Sequence, residues 1–394
     1  MFPEDASFTL WVNEAFGPFW AYQEGYWSVL SGMTNNAMYM LMVIEIVQRA
    51  SFGPLSPAVR WTIGATFAAF CTVPNFLGIR MMGKVLQALL VIVLFPYVIM
   101  IFLALPKADF ATWNQGPPER SSFVEDRTFA MNQRDSEHLH GWSLMLSTAF
   151  WNFGGFDCAS TYAGEVHDPG RTYPKALLLS LALITASLVL PLFAVTVSSG
   201  SFADSPPYRE WEDGTYVDLA WRIGGEPLQI LVAVSGLAAQ IAMFTTEMFV
   251  CSHLLVGMSQ QRLAPRALRG RDSITGAPVV SVAFMLGVVL TGFTVLDRYS
   301  LLVMNNTFAG AAVLLELASA VAMRNKFATH HPQKQISFRA PCRSRLSLAI
   351  SLMPAVIISA VVVTPALIMS DVNCAVTTSL LVAFGWLSFK IWPE

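Results

Sequence analysis

"WNFGGFDCASTYAGEVHDPGRTYPKAL", residues 151–177, opens like the interior of a membrane helix and then stops behaving like one. Gly154, Gly155 and Asp157 interrupt an apolar run. An ionised carboxylate at the centre of a bilayer costs about 3 kcal/mol on insertion scales. The chain places one where glycines also weaken its helix. A broken helix is tolerated in a membrane only where the freed backbone is buried in protein or lines a cavity. Asp157 reads both as the N-cap of a resumed half-helix and as a group for substrate or proton. The two roles are compatible, because a cap lowers the cost of the charge while open carbonyls beside it suit an ammonium group.

The surrounding chain is that of a membrane protein. Of its 394 residues, 54% are hydrophobic and 13% charged, whereas soluble domains carry about 25% charged residues. Crossing the hydrocarbon takes about 20 apolar residues. Ten runs approach that length, near 27–48, 58–79, 83–105, 141–166 (the broken one), 175–199, 226–258, 277–296, 299–323, 346–369 and 373–392. The fold expected is all-α and polytopic, with residues 27–394 forming a single transmembrane domain. Residues 1–26 carry Trp11, Phe16, Phe19, Trp20, Tyr22 and Tyr26 among polar neighbours, and read as a cytoplasmic, interfacial amphipathic segment. No signal peptide is expected, since the N-terminus lacks a basic region and a cleavage site.

Basic residues set the orientation. Short clusters such as "QRLAPRALRGR" (261–271) mark the cytoplasmic side. The expected result is a multi-pass protein, plasma-membrane in location, with both termini of this chain cytoplasmic. The longer loops, 106–140 and 200–226, then lie outside. Both are acidic, and read either as solvated surface or as a funnel concentrating cations. The single cysteines Cys71, Cys158, Cys251, Cys342 and Cys374 have neither metal spacing nor a disulfide pattern. No cofactor motif, basic nucleic-acid patch, nucleophile–base pair or channel filter is visible.

Ionisable residues inside spans are the functional pointers. Besides Asp157 these are Glu45, Glu247 and Glu316. Glu45 sits near the outer end of its span and reads as structural. Glu316 has Arg324 two turns along, so a structural contact competes with function. Glu247 shares a helix face with Gln240, Phe244 and Cys251, a stripe suited to binding or to helix packing.

Several stretches resemble one family: "AFGPFWAYQEGYWSVLSGMTNNAMY" (15–39), "FWNFGGFDCASTYAGEVHDPGRTYPKAL" (150–177), "GMSQQRLAP" (257–265) and "LLELASAVAMR" (314–324). The chain is similar to the amino acid–polyamine–organocation (APC) superfamily, and within it to plant and protozoan polyamine uptake transporters. The resemblance implies a proton-coupled carrier built on two inverted five-helix repeats plus two further helices. It points to Asn36 and Tyr39, to Trp151, Gly154, Gly155, Asp157 and Ser160 around the break, and to Asn306 as substrate-binding residues; Glu247 joins them as a span carboxylate. Three departures follow. "MFPEDASFTLW" resembles the segment after the family's second helix, so the fold is expected without its first two helices. Asn35, Thr245 and Asn305 stand where acids are expected. Glu247 stands where an amide is expected, two residues from Thr245 and so on nearly the opposite face of its helix.

The leading expectation is a secondary transporter importing polyamines or related amino compounds, with a proton as coupling ion and Na+ as the alternative. Its partners are a small amine or amino acid and the lipid bilayer. An amino acid permease of the same superfamily, or a truncated membrane protein that does not transport, are the competing readings. An enzyme is not expected.

Overall fold

The computed structural model describes residues 7–50, 55–110, 145–198, 214–292, 298–330, 344–368 and 372–391. Most of the two long acidic loops, 106–140 and 200–226, therefore lies outside the described residues. The helices are α1 (Ser7–Phe16), α2 (Pro18–Ala50), α3 (Pro57–Phe76), α4 (Ile79–Ala104), α5 (145–153), α6 (Pro169–Ser198), α7 (Thr215–Gln260), α8 (Val279–Gly292), α9 (Arg298–His330), α10 (Arg345–Ile368) and α11 (Val372–Ile391). Among the described residues there is no strand. Within the described residues each expected run overlaps one of these helices, the run 141–166 falling on α5 and the break after it; residues 141–144, 199, 293–296, 369 and 392 of those runs lie outside the described residues. Among the described residues, 5 helical segments qualify by length and hydropathy to cross a bilayer: Ile79–Lys107, Pro169–Ser198, Thr215–Gln260, Ser300–Arg324 and Arg345–Val363.

Local signals explain the element ends. α3 begins at Pro57 behind an N-cap, Ser56, whose hydroxyl accepts the Val59 N–H at 3.4 Å. α7 spans 46 residues, far more than a bilayer needs, and kinks at Gly225 with Pro227 just beyond. The kink stands where the sequence reading begins its sixth span, so the preceding turns from Thr215 form a separate arm.

The chain divides into two compact units: Met1–Met82, His138–Lys175 and Met243–Glu394 in one, Gly83–Glu137 and Ala176–Ala242 in the other. The second unit is built from α4, α6 and the first part of α7. Its core gathers Met100, Ala104, Ala194, Val195, Leu219 and Leu228. Ser235 donates to the Val93 carbonyl at 2.9 Å, tying α7 to α4. Large apolar side chains such as Phe102, Leu178 and Leu179 stand exposed on α4 and α6, a surface suited to lipid.

The first unit holds the break. There α2 packs against α9, α1 against both, and α11 against α2. Phe8, Val12, Ala21, Leu254 and Met258 form one buried cluster, and Leu30, Met304, Phe308 and Cys374 another. Residues 18–26 are the first turns of α2, and Ala21, Gln23 and Glu24 are fully buried. α11 covers them. Gln23 donates to the Gly385 carbonyl at 2.9 Å, Tyr26 to the Leu381 carbonyl at 3.1 Å, and the Tyr22 and Ser388 hydroxyls meet at 2.7 Å. These partners are more than 350 residues away in sequence, so local polarity alone gives no hint of burial.

Candidate functional site

α5 ends at Gly154 and Gly155, the latter at φ 84°, a left-handed conformation that a side chain would strain. The chain does not resume as an α-helix. It runs through two 3-10 turns, Asp157–Thr161 and Ala163–Glu165, and reaches α6 only at Pro169. Asp157 is therefore not the N-cap of a half-helix. Phe156 occupies the cap position without a side-chain bond, and Asp157 opens the 3-10 turn. The physical reason is competition for carbonyls. Thr161 donates to the Cys158 carbonyl at 2.8 Å and Tyr173 to the Ala159 carbonyl at 2.5 Å, taking acceptors an α-helix would use. The Asp168–Pro169 pair also disfavours helical backbone before the proline. The half-buried Asp157 carboxylate lies 3.8 Å from the Cys158 thiol.

Two chains of amide hydrogen bonds hold α5 in place. On one side the Trp151 indole donates to Asn35 Oδ1 at 2.8 Å, and Asn35 Nδ2 reaches Glu247 Oε2 at 3.5 Å. On the other, Ser31 donates to Asn305 Oδ1 at 2.7 Å, Asn305 Nδ2 to Asn306 Oδ1 at 3.3 Å, and Asn306 Nδ2 to the Ser147 carbonyl at 3.1 Å. The buried Tyr39 ring lies 6.1 Å from Trp151. Asn36 is fully buried, and neither of its amide atoms finds a partner. The Ser160 Oγ is likewise buried and unpartnered.

Glu247 faces Gly32 of α2. A methyl group at residue 32 would overlap Cys251 Sγ and lie 2.8 Å from Glu247 Oε1. Glycine there is what brings α2 against the carboxylate. Thr245, by contrast, donates to the Cys71 carbonyl at 3.1 Å, linking α7 to α3. It does face away from Glu247, as its sequence offset implies.

Two carboxylates complete the picture. Glu24 is wholly buried and Glu316 8% exposed. Glu24, Glu247 and Glu316 each lie within electrostatic reach of Asp157, and Glu316 within reach of Glu24. Glu316 thus belongs beside the break. Glu24 was not singled out from the sequence, although Glu24, Ser28, Ser31, Asn35 and Tyr39 recur at helical spacing on one face of α2. Glu45 lies apart, paired with Arg298 at 3.0 Å where both are half-exposed. The sequence-derived residues from α2, α5, the turn, α7 and α9 thus fall in one unit around the break.

Long apolar helices and acidic, amide-rich groups gathered at a broken segment define a multi-pass helical membrane protein of the carrier class. The chain belongs to the family described as Amino acid permease, whose sequence profile matches residues 1–389. It is similar to the polyamine transporter PUT1 of Oryza sativa subsp. japonica, 28% identical over 410 residues, covering 100% of this chain and 70% of that protein. A probable polyamine transporter of Arabidopsis thaliana is 30% identical over 354 residues, covering 89% of this chain and 68% of the relative. The aromatic amino acid transport protein AroP of Salmonella typhimurium is 25% identical over 166 residues, covering 41% of this chain and 34% of that protein. As a permease, the protein is not an enzyme.

Proposed function

We propose that this protein is a secondary carrier importing polyamines or related amino compounds, coupled to protons, working by alternating access on an APC-type repeat fold. The observation that carries the reading is the set of carboxylates around the break. Glu24, Asp157, Glu247 and Glu316 share one region, and among the described residues none is ion-paired to a lysine or arginine. Buried charges require compensation. A cationic amine from solution supplies it, with Asp157 receiving an ammonium group and Trp151 and Tyr39 lining the approach. The similarity to plant polyamine transporters supports the same substrate class. In this reading the ten spans place both termini of the chain in the cytoplasm and the carrier in the plasma membrane.

An amino acid permease is the second reading, favoured by the neutral Asn35, Thr245 and Asn305. Each of these three is engaged in helix–helix hydrogen bonds, which gives it a structural occupation and weakens the argument. Competition uptake in cells expressing the chain separates the two. Spermidine and putrescine should displace labelled amine while neutral amino acids do not, and a protonophore should abolish accumulation. Uptake of neutral amino acids indifferent to polyamines would overturn the proposal, and dependence on Na+ would replace the proton as coupling ion.

A further inference from the structure

Resting on the reading of Asp157 as an amine-binding residue, we infer that Glu24 and Glu316, with Ser160, form a second ammonium subsite beside Asp157, so that the preferred substrate is a polyamine long enough to reach from there to Glu247. The subsite is defined by acceptors that lack donors. The Ser28 hydroxyl donates to Glu24 Oε1 at 3.0 Å, but Glu24 Oε2, Glu316 Oε1 and Ser160 Oγ are buried without any partner. Residues three apart in a 3-10 turn eclipse one another, so Ser160 shares the face of Asp157. α1 packs against this turn, and α2 and α9 pack along each other, which closes the region from the sides. One proton joins a single pair of oxygens. A primary ammonium brings three N–H donors to such a group at once.

Glu247 marks the other end. It lies beside Gly32, with the Asn35 amide 3.5 Å from Oε2. Asn36, one turn beyond Gly32, is fully buried with unpartnered amide atoms of its own. Glu24 and Gly32 stand about 12 Å apart along α2, at about 1.5 Å per residue. An extended amine advances about 1.25 Å per bond, from bond lengths near 1.5 Å. Putrescine therefore separates its nitrogens by about 6 Å and spermidine its terminal nitrogens by about 11 Å on the same geometry. Only the longer molecule spans both subsites, and Asp157, within electrostatic reach of both, meets its middle nitrogen.

The test is a chain-length series. Uptake of labelled spermidine by cells expressing the full chain is competed with α,ω-diaminoalkanes from propane to dodecane, and with 1-aminooctane as a hydrophobicity control. The inhibition constant should fall about tenfold or more near the octane diamine, as expected for one added charge-assisted contact. 1-Aminooctane should not share the gain. Glu24→Gln and Glu316→Gln should each weaken the octane diamine about tenfold more than the butane diamine, whereas Asp157→Asn weakens both alike. A flat series in the wild type, or equal effects of the glutamine variants on both diamines, overturns the subsite and leaves amine transport standing. Absence of competition by every amine overturns the transport reading itself, and the subsite with it. Should a glutamine variant fail to reach the surface, the wild-type series decides alone.

Discussion

A methyl group added at residue 32 would overlap Cys251 Sγ and press on Glu247 Oε1, so Gly32→Ala must push α2 away from α7. Overpacking of this kind costs about 1–3 kcal/mol. The expected outcome is a lower melting temperature in detergent together with weakened amine uptake. Gly287→Ala is the control. It lies mid-helix in α8 with nothing within 4 Å of the added carbon, and should be neutral or stabilising by up to about 1 kcal/mol. At Asp157 the charge can be removed with little change of shape. Asn retains an acceptor toward the neighbouring backbone, so Asp157→Asn should reach the surface normally. Amine uptake should fall tenfold or more, equivalent to about 1.4 kcal/mol and within the range for losing a charge-assisted hydrogen bond. Normal uptake by this variant would move the charge role to the glutamates around it.

At the scale of elements, the break is where sequence reading succeeded and where it stopped. The all-helical, apolar character was legible because a bilayer demands long apolar runs, and two glycines beside an aspartate are incompatible with a continuous helix. The 3-10 course after the break was not legible. It depends on Tyr173 reaching back to the Ala159 carbonyl, a contact no periodicity encodes. Glu24 was missed for a similar reason, since the groups it lies near, Asp157 and Glu316, are more than 130 residues away in sequence. Gly155→Ala should cost about 1–3 kcal/mol because its φ of 84° strains any side chain, read as reduced surface expression and a lower melting temperature. The loop between α7 and α8 gives a pH test outside the membrane. Asp272 Oδ2 accepts the N–H groups of Ile274 and Thr275 and the Thr275 hydroxyl, at 3.1, 2.8 and 3.0 Å. The Thr275 bonds, above all, hold its carboxyl below the ordinary aspartate range. A depressed value means the stabilisation is present above the ordinary value of about 4 and is lost as pH falls through the lowered one. Any melting-temperature gap between wild type and Asp272→Ala should therefore close on acidification, and a gap unchanged down to the lowest tolerated pH would contradict this.

On the scale of the whole molecule, the remaining question is which ends of the helices face the cytoplasm. Within the first unit, the connections assigned inward meet one another. The Arg271 guanidinium pairs with Glu165 at 2.7 Å and donates to the Gly276 carbonyl at 3.1 Å. A carbon added at Gly78, between α3 and α4, would lie 2.6 Å from the Thr275 carbonyl. The basic cluster from Arg262 to Arg271 lies at this same end, where the positive-inside rule puts the cytoplasm. The C-terminal part of α2 and the start of α9 meet in the Glu45–Arg298 pair. The chain reaches Glu165 through the break, and from Glu45 it returns through α3 to Gly78, so the two ion pairs should mark opposite membrane faces. Ala58, exposed at the start of α3, and Ile274, 91% exposed, offer probes for those faces. In sealed cells an impermeant maleimide should label Ala58→Cys above the wild-type background and leave Ile274→Cys untouched until the membrane is permeabilised. The reverse pattern would invert the carrier in its membrane, and equal labelling of both before permeabilisation would put the two ion pairs on one side and break the span assignment between them.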